Sequence, residues 1–381
     1  MNTLGLYVHI PFCKSKCRYC DFCSFPNPKS DRIAAYLDAL CGEIKTFGAE
    51  GHPYHADARE REVDTVYFGG GTPTLLEASQ LARVMEAIRG VFRIREDAEI
   101  TAECNPATAD LAYFKALRAT GFNRLSIGAQ SMQQNELRLL GRLHSADDVR
   151  KTVADAREAG FENISVDLMF GIPDQTEDSL AITLDAILAL SPDHVSLYGL
   201  QIEEGTYLHR HRDTLHFPDE DTEGAMYEAS VRRLGEAGIY PYEISNFARA
   251  GFASRHNLRY WRRLDYLGLG VAAHSCMGDH RFSNTEDLDA YLAGDRRDED
   301  EIVSPHDVLC ERVMLGMRLR EGVDFAPLLA NHGEDARRIF ERLSAFAAGG
   351  HIARDGHRLA FTTAGAYVSN AILADALDFD A

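Results

Sequence analysis

Tyr7–Phe25 reads YVHIPFCKSKCRYCDFCSF and holds four of the chain's eight cysteines: Cys13, Cys17, Cys20 and Cys23. The run just before them, LGLYVHI (4–10), has the apolar, β-branched character of a strand, so the thiols fall on the loop that follows it. Three of them are spaced Cys13-x3-Cys17-x2-Cys20, and Cys23 lies three residues further on. The question is what such a loop holds.

The rest of the chain narrows the answer. No apolar run reaches the ~18 residues needed to cross a bilayer. The start, MNTLGLYVHIPFC, lacks a basic n-region, an apolar h-region and a cleavage site, so a cytoplasmic protein without an integral membrane segment is expected. Thiols stay reduced in that compartment, which disfavours a disulfide framework and favours a metal or cluster site. Cys41, Cys104, Cys276 and Cys310 are scattered singly and read as small buried hydrophobes. A formal net charge of -19, with no dense Lys/Arg run, argues against a nucleic-acid partner.

Working outward from Leu4, five more strand patterns follow: VDTVYF (63–68), AEITAE (98–103), NRLSIGA (123–129), NISVDLMF (163–170) and HVSLYGL (194–200). Helical patterns lie between them, near 31–47, 77–90, 108–120, 133–160 (broken around Gly141) and 177–190. Alternating strands and helices imply an α/β fold with a parallel sheet, here a partial (β/α)6 TIM-like barrel. In such barrels chemistry gathers at the C-terminal strand ends. The cysteine loop follows the first strand, GGGTP (69–73) the second and ECNP (103–106) the third. From about 304 the chain reads as three helices, a hairpin turning at Asp355-Gly356 and a closing helix, which together make a small winged-helix-like α+β module. The expected division is a barrel over 1–240, a connecting region over 241–300 and the C-terminal module over 301–381.

Three thiolates on one short loop can reach one face of a cubane and leave one iron open. Soft thiolates select iron–sulfur clusters or zinc, but a structural zinc site closes with a fourth ligand, usually from a second CxxC pair, and none is present. Phe12, Tyr19 and Phe22 flank the cysteines and would shield such a site from water. The CxxxCxxC pattern, with an aromatic before its last cysteine, resembles the radical S-adenosylmethionine (SAM) superfamily. That resemblance implies a [4Fe–4S] cluster on Cys13, Cys17 and Cys20, with SAM on the fourth iron and Cys23 outside the ligand set. It also implies that Gly70, Gly71 and Thr72 of GGGTP form the element that binds the SAM amino group. Tyr7, Tyr19, Glu103, Gln130, Arg142 and Asp167 match positions near SAM in the porphyrin-related branch; a bland alternative is that strand-end polar residues cap helices.

FGIPDQT (170–176), SLYGLQIEEGT (196–206), EISNFAR (243–249) and YLGLGVAAHS (266–275) resemble the coproporphyrinogen-oxidase-like branch of that superfamily. HNLRYW (256–261) matches the HNxxYW signature of its HemW-type haem chaperones, and the twelve residues ahead of Cys13 are too few for the N-terminal arm of the oxidative decarboxylases. The resemblance implies a chaperone that binds haem as well as cluster and SAM, delivers haem to an apo-protein, and draws electrons from a flavodoxin or ferredoxin. The runners-up are an oxygen-independent coproporphyrinogen III oxidase and another radical SAM enzyme acting on a tetrapyrrole. His256 offers an imidazole to haem iron, Tyr260 and Trp261 offer flat faces, and Arg259, Arg262 and Arg263 could meet propionates. The alternative is a loop that braces two domains, with His256 hydrogen-bonded. His9 and His274 read as structural. A homodimer is left open.

Overall fold

The computed structural model describes residues 3–377. Six strands match the sequence patterns closely: β1 (Leu4–Ile10), β2 (Glu62–Gly70), β3 (Arg93–Cys104), β4 (Arg124–Gln130), β5 (Asn163–Phe170) and β6 (His194–Gly199). They pair in parallel in chain order, β1 to β2 through to β6. Between them lie α1 (Ser30–Phe47), α2 (Ala78–Val91), α3 (Leu111–Ala119), α4 (Gln134–Leu139), α5 (Ala146–Glu158) and α6 (Glu177–Leu188), and α7 (Glu220–Glu236) follows β6. The expected break at Gly141 is present: Gly141 has φ 74, and Ser145 caps α5 by accepting from the backbone N–H of Asp148. This is the expected partial TIM-like barrel.

The strands alternate. Val66, Phe68, Ile100, Ala102, Leu125, Ile127, Val166 and Leu168 are fully or almost fully buried in one continuous core. The residues between them, including Thr65, Tyr67, Thr101, Glu103, Arg124, Ser126, Ser165 and Asp167, are polar or hydrogen-bonding. Side chains of a strand point alternately to its two faces, so this pattern makes one face an apolar seat for helices and gives the barrel a polar interior.

The region 241–300 is not a connector. It supplies β7 (Asn246–Ala248), β8 (Tyr266–Leu269), β9 (His274–Met277) and β10 (His280–Asn284), and β11 (Arg297–Ile302) runs just past its end. All belong to the barrel's sheet. β8 pairs in parallel with β1, so the parallel run has seven strands, with antiparallel strands continuing it at both edges. The core of the barrel likewise runs from Leu4 to Tyr291. A boundary at 240 therefore cuts through a hydrogen-bonded sheet.

The same region carries α8 (Arg255–Trp261), the HNLRYW segment, capped by Ser254. The carboxylate of Glu99, buried inside the barrel, accepts the backbone N–H groups of Arg255 (3.1 Å) and His256 (3.0 Å). Thr65, across from Glu99 in register, shares a 2.9 Å hydrogen bond with the ring of His256. Arg259 is buried and pairs with Asp64 near the start of β2. The helix thus closes the barrel at its N-terminal end.

A second core, Leu309 to Leu377, belongs to the C-terminal module. It contains α9 (Pro305–Met317), α10 (Phe325–Ala345) broken at Gly333, the hairpin β12 (Ile352–Asp355) and β13 (Arg358–Phe361), and two short closing helices. The expected hairpin is present, but Asp355 pairs with Arg358, so its turn is Gly356-His357, one residue past the expected Asp355-Gly356, with Gly356 at φ 57.

Candidate functional site

The cysteine loop is closed at its base. Phe12 and Cys13 pair with Phe25 and Pro26, and the N–H of Phe25 donates to Pro11 O at 2.7 Å. Its middle is held from the side: Arg18 N–H donates to Leu140 O, and Leu208 N–H donates to Arg18 O, both at 3.0 Å. The loop is therefore pinned over the C-terminal ends of the strands. Beneath it lies a cavity of about 340 Å³ lined by Cys13, Cys17, Cys20, Tyr19, Gly70, Gly71, Thr72, Glu103, Gln130, Arg142 and Asp167. Eleven of the thirteen residues anticipated from sequence meet there.

Each is positioned by the strand ends. Arg142, just past α4, donates to Asn105 Oδ1 and Gly128 O, each at 2.6 Å, and to the Cys17 sulfur at 3.4 Å. Asn105 donates to Thr72 Oγ1 at 2.7 Å, and Thr72 Oγ1 lies 3.5 Å from the Cys13 sulfur. An arc of polar groups thus joins two cysteines across the cavity. Glu103 accepts from Tyr67 (2.9 Å) and from Gly70 N–H (3.1 Å). Burial pushes its carboxyl up to about 7, and the neighbouring Asp167 adds to the shift. Asp167 accepts from Ser126 and Ser165, and burial raises its carboxyl too.

The glycines of GGGTP are dictated by contact. Gly70 has φ 104, and a Cβ on it would fall 2.4 Å from the His9 ring. A Cβ on Gly71 would fall 2.7 Å from Phe12 O. Only glycine brings this backbone against the cysteine loop. Gln130, at φ 67, is a non-glycine residue in the left-handed region at the cavity edge; such conformations cluster at functional sites.

The residues fit a cluster better than a single ion. Among the described residues no three His, Cys, Asp or Glu groups converge to hold one metal ion. A cubane asks for something else: three thiolates bordering one space, each on its own iron. Cys13, Cys17 and Cys20 border one space. Burial holds the Cys13 thiol above its ordinary range and Cys20 at about 11, so iron must displace protons to bind. Cys23 does not line the cavity; it lies in a neighbouring groove with its sulfur 3.5 Å from Glu286 O. For SAM, the cavity offers buried carboxyls at Glu103 and Asp167, a guanidinium at Arg142 and exposed backbone at the glycines, which match an amino group, a ribose and a carboxylate.

Two anticipated residues lie elsewhere. Tyr7 faces the neighbouring groove, its hydroxyl 3.0 Å from His9 Nδ1. His256 is buried beneath the cavity, stacked on Tyr67, with both ring nitrogens engaged by Thr65 (2.9 Å) and Tyr260 (2.8 Å). Burial, then the charges of Arg259 and Arg124, push its imidazole down to about 3, so it stays neutral. It has no lone pair to offer haem iron in this arrangement. The arginines beside it are committed as well: Arg259 to Asp64, Arg263 to Glu311 and Arg262 to Glu321.

Other cavity residues escaped sequence reasoning. Asn257 of HNLRYW and Arg124 reach its floor, and Arg124 is buried with an Nε that lacks a hydrogen-bond partner. The signal for Arg124 was its parity with Ser126 in NRLSIGA, which puts an arginine on the interior face. Asn105 was quoted in ECNP without a role.

Comparison with known proteins agrees. Residues 7–187 match the radical SAM superfamily and 303–368 the HemN C-terminal domain. The chain is 37% identical to the heme chaperone HemW of Bacillus subtilis over 344 residues, covering 88% of each chain. It is 35% identical to that of Mycobacterium tuberculosis over 381 residues, covering 98% of this chain and 94% of that protein. Among solved structures, coproporphyrinogen III oxidase (HemN) from Escherichia coli, a radical SAM enzyme, superposes with a TM-score of 0.86 at 26% identity, over 99% of this chain and 91% of that one. No helix among the described residues is long and apolar enough to cross a membrane. Membership of the superfamily implies SAM and a [4Fe–4S] cluster, and the chain belongs to the HemW family of radical SAM proteins.

Proposed function

We propose that this chain is a cytoplasmic haem chaperone that binds haem and passes it to an apo-protein. The observation that carries this reading is the extent of the HemW match, which takes in both the barrel and the C-terminal module. In this reading Cys13, Cys17 and Cys20 hold the cluster. Gly70, Gly71 and Glu103 receive the amino group of SAM, while Gln130, Arg142 and Asp167 hold its remaining polar groups. Cluster and SAM, when bound, supply one-electron chemistry. The protein's own part is to hold charge and exclude water. Glu103, when ionised, sets a negative charge where the amino group lies, Arg142 sets a positive charge beside the Cys17 sulfur, and Tyr19 covers the thiols. Electrons come from a flavodoxin or ferredoxin. The C-terminal module, with its own core, is the surface for the apo-protein or for a second copy in a homodimer.

The second reading is an oxygen-independent coproporphyrinogen III oxidase, favoured by the superposition on HemN. An anaerobic titration of the cluster-reconstituted chain with haem, followed by addition of an apo-haem protein, separates the two. The chaperone gives saturable binding and transfer. Absence of saturable binding, with decarboxylation of coproporphyrinogen, selects the oxidase.

A further inference from the structure

With His256 occupied, the haem iron needs another ligand. Beside the cluster cavity lies a second space of about 430 Å³. Gly70, Glu103 and Phe22 line both spaces, so the two adjoin along the edge of the glycine loop. The walls of the second are aromatic: Tyr7, Tyr260 and Tyr266 on one side, and Phe22, 63% exposed, on the cysteine loop. His274 projects into it from the start of β9. That imidazole is exposed, and no group among the described residues hydrogen-bonds it. It contrasts with His9, His144, His194 and His256, all buried and hydrogen-bonded through the ring.

We propose that this groove is the haem site and that His274 is the axial ligand of the haem iron. The proposal rests on the reading of the chain as a haem chaperone and adds where the cargo sits. A macrocycle needs flat apolar walls, one free lone pair above its centre, and cations for its propionates. Three tyrosines and Phe22 supply the walls, and His274 supplies the lone pair. Asp21, Glu103 and Glu286 also line the groove and repel carboxylates. Lys16 lines the adjoining cluster cavity rather than the groove, but its ammonium is anchored to Phe22 O at 3.0 Å on the edge the two spaces share, so the propionates lie toward that edge. A site walled by the cluster loop places haem next to SAM without sharing its cavity.

The test compares anaerobic haem titrations of cluster-reconstituted wild type, His274→Ala and His256→Gln, read by Soret position, with iron content checked in each. His274 makes no hydrogen bond through its ring and is exposed, so its removal leaves the fold intact. The expected result is a Soret maximum displaced in His274→Ala and returned to the wild-type position by added imidazole, with His256→Gln retaining the wild-type spectrum. If His274→Ala keeps the wild-type maximum while wild type binds haem saturably, the placement is overturned and the chaperone reading stands. If wild type shows no saturable binding, the chaperone reading itself falls and the placement falls with it.

Discussion

The two ends of the barrel are built from the same strands and do opposite work. At the C-terminal end, polar side chains face a cavity: Gln130 sits in a left-handed conformation, Arg142 has a buried Nε without a hydrogen-bond partner, and burial raises the thiols of Cys13 and Cys20. At the N-terminal end, polar groups consume one another. Glu99 takes up the N–H groups of α8, Arg259 takes up Asp64, and His256 spends both nitrogens on hydroxyls. The upper end gathers thiols, glycines and polar groups round an open cavity; the lower end pairs carboxylates, guanidinium and hydroxyls across the sheet and holds the barrel shut. The HNLRYW segment belongs mainly to the second class, although Asn257 reaches the cavity floor and Tyr260 the groove beside it.

Substitutions at the two ends should separate cluster loss from stability loss. The largest effect belongs to the upper end. Cys17→Ser removes a corner of the cluster, so iron, sulfide and the brown absorbance of the reconstituted protein should be lost while thermal stability of the iron-free chain stays near wild type. Full iron content in that variant would remove Cys17 from the ligand set. At the lower end the pattern reverses. Arg259→Met leaves Asp64 with only the Thr3 hydroxyl at 2.8 Å and the Arg255 guanidinium at 4.0 Å, and breaking a buried pair costs at most roughly 3–5 kcal/mol. Denaturant unfolding should report that loss, and the surviving folded protein should still take up a full cluster. Unchanged stability would mean that α8 does not brace the barrel.

A smaller effect is expected at Glu103. Its carboxyl sits at about 7, so the ionised form that accepts an amino group appears as pH rises through that value. Equilibrium binding of SAM to the reconstituted protein should therefore tighten with rising pH, by up to about tenfold per unit below 7. In Glu103→Gln binding should be weak and nearly flat with pH. The same steep profile in the variant would shift the titration to another group. The smallest change belongs to Cys23→Ser, where iron per chain should match wild type because Cys23 lies outside the cavity. A drop by a quarter or more of the iron would make Cys23 a ligand.

Much of the upper end was legible because its signals are local. Cys13, Cys17 and Cys20 share one loop, and the strand patterns place GGGTP and ECNP at strand ends; Asp167 lies inside its strand, on the interior face. The lower end was not, because its contacts are remote. His256 meets Thr65 across 191 positions and Glu99 across 157, and nothing near HNLRYW announces either. An imidazole beside two aromatics and an arginine reads equally well as a ligand or as a packed core group. Only tertiary pairing decides, and it decided for the core. The strand β8 was missed for a different reason: Tyr266–Leu269 is four residues long and carries a glycine, too short for its period to show. Tyr7 was matched to a position near SAM by resemblance, and a match of position cannot tell the cavity from the groove beside it, which Tyr7 lines.

The central claim is that three thiols leave one iron open for SAM. Electron paramagnetic resonance of the reduced, reconstituted protein, recorded with and without saturating SAM, addresses it directly. The account requires the signal of the reduced [4Fe–4S] cluster to change on SAM addition, and to do so equally in Cys23→Ser. A cluster signal indifferent to SAM would mean that the fourth iron is already closed, and the assignment of the cavity would be wrong.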